Sequence, residues 1–237
     1  MNFVHRPSRI AWISVFFTFE VVQTWVVVEV GVVQLELRGQ LEVRLREALK
    51  LDHPYQDRFF AQTEGTPAAV LVLLAFSNQD ADPRVLVTLR TEKVETHKGQ
   101  MAFLGGMTDP QDTSPEMTAL REAEEEAGVP PAQVSIVGSL PTLWTVTRFV
   151  VSPIVGVLTL AVEDLPLKLN EHEIAEAVWL RLSDLANPAT YRRELLTVGQ
   201  LNYRTDVFEV GPHRIWGATG SMLKNLIDRL SLVSRVG

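Results

Sequence analysis

The sequence predicts an α/β domain, and three stretches carry that expectation. Ala68 to Phe76 is a continuous apolar run of strand length, which reads as a strand buried on both faces. A capped, acid-rich helix follows from about Ser114 to Gly128. The chain closes with a long segment, from near Gly217 to about Val233, that sets Met222, Leu226, Ile227 and Leu230 on one helical face. Between these lie further short apolar runs separated by proline, glycine and aspartate, so strands and helices alternate.

The chain has 237 residues, enough for one domain with a sizeable core or one domain with an appendage. Its formal charge of -7 argues against a general nucleic-acid binder, so a phosphorylated partner has to be met by a local basic cluster or by metal. Cysteine is absent, which excludes disulfides, a thiolate nucleophile and a zinc-cysteine site.

Residues 1–40 form an N-terminal extension. Ile10 to Phe19 is a short apolar run, and the valine-rich Trp25 to Leu37 favours a strand. Glu20, Gln23 and Glu29 interrupt any window of about 20 apolar residues, which argues against a spanning helix and for a cytoplasmic protein. A start of translation downstream of this segment is the other reading left open. In residues 41–65, Leu45, Ala48 and Leu49 recur at helical spacing, so Leu41 to Leu51 reads as an amphipathic helix ended by His53-Pro54 and followed by a linker.

From residue 66 the main domain begins. Ala68 to Phe76 and Arg84 to Arg90 read as a hairpin joined by turn material from Ser77 to Pro83. The helix after Gly105-Gly106 starts either from a capping box, Thr113 with Glu116, or from Ser114 with Pro115 in the first turn; Gly128 ends it. Met117, Leu120, Ala123 and Ala127 are expected on its packed side. Val134 to Leu140 and Phe149 to Leu160 are strands, the second placed at an edge or bulge by Pro153. Ile174 to Leu182 is another strand, Ser183-Asp184 caps a short helical segment reaching Tyr191 and Arg192, and Val207 to Val210 pairs with His213 to Trp216 around Gly211-Pro212.

The chemistry concentrates on the capped helix. Glu122, Glu125 and Glu126 are spaced i, i+3, i+4 and fall within roughly a 100° arc. Like charges so placed repel, and a hard divalent cation such as Mg²⁺ or Mn²⁺ would offset that repulsion; a solvated acidic face is the bland alternative. Arg121, four residues before Glu125, can orient its carboxylate.

The run Arg121-Glu122-Ala123-Glu124-Glu125-Glu126-Ala127-Gly128-Val129 resembles the right half of the Nudix box, with Ala123 small for its position. On the left, Asp112 stands where the family has glutamate, with eight rather than seven residues before Arg121. Upstream, Leu86, Thr88, Arg90, Gly99, Phe103, Gly105 and Gly106 match the signature of coenzyme A diphosphatases, while Val87, Thr91, Glu95 and Leu104 depart from it.

The resemblance spans about residues 66–232 and implies the Nudix fold, a mixed β-sheet sandwiched between helices. It also implies metal-dependent hydrolysis of coenzyme A or a derivative at its diphosphate, giving 3′,5′-ADP and a 4′-phosphopantetheine. Glu122, Glu125, Glu126 and Gly106 would hold the metal, with Arg121, Glu125 and Glu173 as catalytic candidates and His172 as rival to Glu173. Thr88, Arg90, His97, Lys98, Gly99, Phe103, Trp144 and Arg148 are the candidate substrate contacts, Trp144 by stacking on adenine. His213 to Gly217 resembles a late segment of the family and reads as core packing. Hydrolysis of another nucleoside diphosphate derivative such as ADP-ribose, or non-catalytic nucleotide sensing, are the alternatives; retention of all three helix acids favours an enzyme.

Overall fold

The computed structural model describes residues 19–51, 65–93, 98–198 and 201–236. In chain order the helices are α1 (Phe19–Lys50), α2 (Pro115–Ala127), α3 (Leu182–Ala186) and α4 (Gly217–Val236). The strands are β1 (Thr66–Ser77), β2 (Asp80–Arg90), β3 (Met101–Ala102), β4 (Leu104–Met107), β5 (Val134–Ser139), β6 (Leu143–Trp144), β7 (Phe149–Leu158), β8 (Ile174–Arg181), β9 (Tyr191–Val198), β10 (Leu201–Val210) and β11 (His213–Ile215).

β1 organises the mixed sheet. It pairs antiparallel with β2 and β4 and parallel with β7; β2 carries β3 and β8, and β7 carries β5 and β6. Alternation along β1 divides its side chains between two cores. Ala69, Leu71, Leu73 and Ala75 pack with Ala119, Ala123 and Ala127 of α2. Ala68, Val72, Leu74 and Phe76 pack on the other face with Leu41 and Leu45 of α1 and Leu223 and Leu226 of α4. The sheet is thus sandwiched between helices, as expected, and burial on both faces is why the run 68–76 is continuously apolar. The small Ala123 lets α2 lie close to β1 and β4.

Several local expectations are corrected. Trp25 to Leu37 is helical, part of α1, because extending a helix already nucleated by Leu41 to Lys50 adds a hydrogen bond per residue and outweighs the valines' preference for strand. No helix among the described residues is long and apolar enough to cross a membrane. β2 begins at Asp80, so the turn is shorter than Ser77 to Pro83. Pro153 lies in an interior strand, between β1 and the pair β5 and β6. It sits where the neighbour changes from β5 to β6, and its carbonyl accepts from Leu140 N–H at 2.9 Å.

Ser183 does not cap α3; its hydroxyl donates to Asp82. Tyr191 and Arg192 begin a strand instead, and β9, β10 and β11 form a second antiparallel sheet against α4. The hairpin between 207 and 215 is present, within this longer pairing. Arg229 of α4, 4% exposed, donates to the carbonyls of Ala48, Leu49 and Leu51, joining α4 to the C-terminus of α1.

Candidate active site

The site is assembled by the turn from β4 into α2. Ser114 is the N-cap of α2, its hydroxyl accepting from Met117 N–H at 3.3 Å, and Pro115 opens the first turn. Thr113 instead directs its hydroxyl to the Met117 sulfur. At the far end Gly128 adopts φ 68°, and Val129 N–H reaches Ala123 O at 3.2 Å. Met117 is exposed rather than packed, and Glu126 is buried among the alanines instead.

The three helix acids therefore occupy different environments. Glu126, 3% exposed, accepts from Gly105 N–H at 3.0 Å and lies 3.7 Å from the Arg90 guanidinium. Burial pushes its carboxyl up to about 7, against the opposing pull of Gly105 N–H and Arg90 and with the help of Glu122 and Glu173. Glu122 is half-buried and 3.0 Å from Arg121; desolvation raises its carboxyl despite that cation. Glu125 is 59% exposed, turned toward Arg121 at 3.2 Å.

Arg121 also holds the left side of the motif in place. It grips Asp112 at 3.0 Å and donates to Met107 O at 3.1 Å, tying the β4–α2 loop to the helix. The Arg121 guanidinium holds the Asp112 carboxyl down at about 2. Arg121 itself is stabilised in its charged form, first by that same bond.

Gly106 packs its backbone directly against Glu122: a Cβ there would lie 2.5 Å from the carboxyl carbon. Gly105, at φ 153°, crosses Val70 closely enough that a Cβ would sit 2.6 Å from the Val70 Cα.

A cavity of about 700 Å³ opens above this turn. Its charged lining residues are Arg90, Glu122, Glu126 and Glu173. Gly105, Gly106, Phe103 and Trp144 line it as well, so eight of the residues singled out from the sequence meet in one place. Glu173 arrives from the loop before β8, where Asn170 Nδ2 donates to it at 3.3 Å; neighbouring His172 is exposed.

Other candidates lie outside the cavity wall. Thr88 is buried and its hydroxyl donates to Ala102 O at 3.0 Å, fixing β3 against β2. Lys98 and Gly99 are exposed on the loop after β2, with Gly99 at φ 62°. Arg148 is exposed at φ 65°, and its carbonyl accepts from Thr66 N–H. His97 falls outside the described residues, as does Glu95. Trp216, read from sequence as core packing, is half-buried and lines the cavity, with Arg214 6.0 Å from its ring. Leu196, Tyr203 and Met222 also reach the cavity; no linear spacing links them to the acidic helix, because β9, β10 and α4 are brought over it only by the tertiary fold.

The donor set suits a hard cation held in an open site. Glu122 and Glu126 face the same cavity, their mutual repulsion and burial are both relieved by positive charge, and Gly106 leaves the backbone accessible. Among the described residues no three acidic or histidine side chains form a ready-made cage, so remaining positions would fall to water and substrate oxygens, as Mg²⁺ prefers.

The NUDIX domain model matches residues 65–197. A protein of Yersinia enterocolitica named uncharacterized Nudix hydrolase NudL is 32% identical over 183 residues, covering 77% of this chain and 90% of its own. The proteins of that name from Photorhabdus laumondii and Escherichia coli O6:H1 are each 33% identical, covering 63% and 67% of this chain and 79% and 80% of theirs. Among solved structures, a Nudix hydrolase of M. Smegmatis, RenU, aligns at a TM-score of 0.47 and 19% identity, over 74% of this chain and 89% of that one. Nudix hydrolases as a group use divalent metal ions. With more than half of the chain matched, the chain belongs to the Nudix hydrolase family.

Proposed function

We propose that the protein is a diphosphatase of coenzyme A or its derivatives, dependent on Mg²⁺ or Mn²⁺. The observation that carries this reading is the convergence of Arg90, Phe103, Gly105 and Gly106, from the stretch resembling coenzyme A diphosphatases, with Glu122, Glu126 and Glu173 on one cavity wall. A divalent cation held by Glu122 and Glu126 with the Gly106 backbone would neutralise phosphoryl charge and acidify bound water.

Every other part falls to the chain's own groups. The diphosphate seats over Gly105-Gly106, where no side chain intervenes. Arg90, anchored on Glu126, faces its oxygens. Glu173 accepts the proton of the attacking water, and Glu125 stays with Arg121 as a positioning pair. Attack on phosphorus breaks the diphosphate P–O bond and releases 3′,5′-ADP and the 4′-phosphopantetheine. The 3′-phosphate needs external cations, for which Lys98, His97 and Arg148 are the candidates, and Trp144 offers a face to the base.

The test is a substrate comparison, coenzyme A against ADP-ribose, each with Mg²⁺, Mn²⁺ or chelator. Faster metal-dependent release of 4′-phosphopantetheine supports the reading. Preference for ADP-ribose keeps the chemistry and removes the substrate, and binding without turnover of either points to a sensing module.

A further inference from the structure

The loop that carries Glu173 to the cavity is tied to two elements of the site. Lys168 N–H donates to Ala127 O at 2.9 Å and Asn170 N–H to Glu126 O at 2.8 Å, so the loop satisfies carbonyls that the last turn of α2 leaves open. From the end of β2, Thr91 N–H donates to Glu173 O at 2.8 Å and the Thr91 hydroxyl to His172 O at 2.7 Å. These bonds fix the loop's main chain. They leave the flexible Glu173 side chain to be aimed by another group.

Asn170 supplies that group. Its Nδ2 donates to Glu173 Oε1 at 3.3 Å, and among the described residues no other hydrogen-bond donor meets that carboxylate. Its Oδ1 accepts from His172 N–H at 3.2 Å, and its carbonyl accepts from Glu173 N–H at 2.9 Å and Ile174 N–H at 2.8 Å. One residue therefore joins the backbone of Glu126, whose carboxyl is buried beside the cavity, to the carboxylate of Glu173.

The residue type suits the task. Asparagine offers a donor and an acceptor from one planar group, short enough to close a turn on its own loop. Aspartate would keep the turn but set another carboxylate against Glu173. Serine would keep the turn with a hydroxyl too short to reach that carboxylate as well. Glu122 and Glu126 line the same cavity, and their like charge drives an untethered Glu173 toward water.

We propose that Asn170 is a positioning residue for the reaction, registering the loop on α2 through its main chain and aiming the Glu173 carboxylate at the attacking water through its amide. The inference rests on the reading of Glu173 as the proton acceptor in diphosphate hydrolysis. A general base contributes about 10²–10⁴-fold, and a displacement of about 1 Å forfeits on the order of 100-fold, so loss of the tether should cost about 10–100-fold in kcat.

The experiment measures kcat and KM for coenzyme A and for ADP-ribose with Mg²⁺ in the wild type, Asn170→Asp, Asn170→Ser, Glu173→Gln and the two double variants, beside urea unfolding. Asn170→Ser adds no charge and keeps the test open if Asn170→Asp fails to fold. The expected result is a kcat lowered by about 10–100-fold in Asn170→Asp and less in Asn170→Ser, with KM within about threefold of wild type. In the Glu173→Gln background, itself slower by about 100-fold or more, neither Asn170 substitution should lower kcat by more than about a further twofold. A loss of the same size in both backgrounds, or one confined to KM or to urea stability, makes Asn170 structural and overturns the inference while leaving the diphosphatase reading intact. Wild-type kcat in Glu173→Gln overturns it by removing the proton acceptor. The expected pattern on ADP-ribose but not on coenzyme A keeps the inference and removes the substrate; no turnover of either removes both.

Discussion

Replacing Gly106 by alanine separates the site's geometry from its stability. The new Cβ would stand 2.5 Å from the carboxyl carbon of Glu122 and 2.5 and 2.7 Å from its two oxygens. Ordinary contact begins near 3.4 Å, so the carboxylate must retreat by about 1 Å. The obstacle is the far end of a flexible side chain, and φ at Gly106 is not in the left-handed range, so the fold should lose less than about 1 kcal/mol. A displacement of that size at a reacting centre costs on the order of 100-fold in rate, equivalent to about 2.7 kcal/mol of transition-state stabilisation.

Gly105→Ala is the control. Its Cβ meets the backbone of Ala69 and Val70, which cannot turn aside, and φ is 153°, so the loss should be structural, about 2–3 kcal/mol or more. The assay is kcat for diphosphate cleavage beside urea unfolding. A Gly106→Ala protein with kcat within threefold of wild type, or one unfolded to the same extent as Gly105→Ala, refutes the reasoning.

The buried Glu126 makes stability depend on pH in the absence of metal. Its folded pKa, about 7, is above its ordinary value of 4.5, so the stability it permits is complete below about 4.5 and lost as pH rises through 7. In chelator at pH 8, Glu126→Gln should be more stable than wild type by about 2–3 kcal/mol, measured by urea unfolding across pH; added Mn²⁺ should reverse the order. Asp112 behaves oppositely: its carboxyl is depressed, so its bond to Arg121 contributes above about pH 4 and is lost as pH falls toward 2. Acid unfolding followed by circular dichroism should begin at higher pH in Asp112→Asn. Arg229→Met removes the guanidinium shared by the carbonyls of Ala48, Leu49 and Leu51, and should cost about 2–4 kcal/mol in urea with the catalytic kcat/KM nearly unchanged.

What was legible in the sequence was what depends on neighbours along the chain. The apolar run of β1, the Ser114 and Gly128 caps of α2 and the apolar face of α4 each carry their own signal, and the acids of α2 stand on one helix. β4 was missed because Leu104 to Met107 contains two glycines, which carry no strand preference yet are what lets the turn approach Glu122 and Val70. β9 was missed because Arg192, Arg193 and Glu194 interrupt any alternation; their charges pair across to Asp206, Glu209 and Arg214 on neighbouring strands.

The same limit applies to the site. Spacing placed Glu122, Glu125 and Glu126 on one arc, but not the burial that draws Glu126 to Gly105 or the exposure that leaves Glu125 with Arg121. The apolar lining of the cavity was illegible for a plainer reason. Trp144, the paired Leu196 and Tyr203 of the β9–β10 hairpin, and Trp216 come from three separated segments, and only the tertiary fold brings them to one cavity.

The most direct test of the account is to follow the phosphorus products of coenzyme A by ³¹P NMR with Mg²⁺, with chelator, and with a folded Glu126→Gln protein. The account predicts 3′,5′-ADP and 4′-phosphopantetheine in the first case and intact diphosphate in the other two. Cleavage that proceeds unchanged in Glu126→Gln, or in chelator, would contradict the assignment of catalysis to the acidic wall of this cavity.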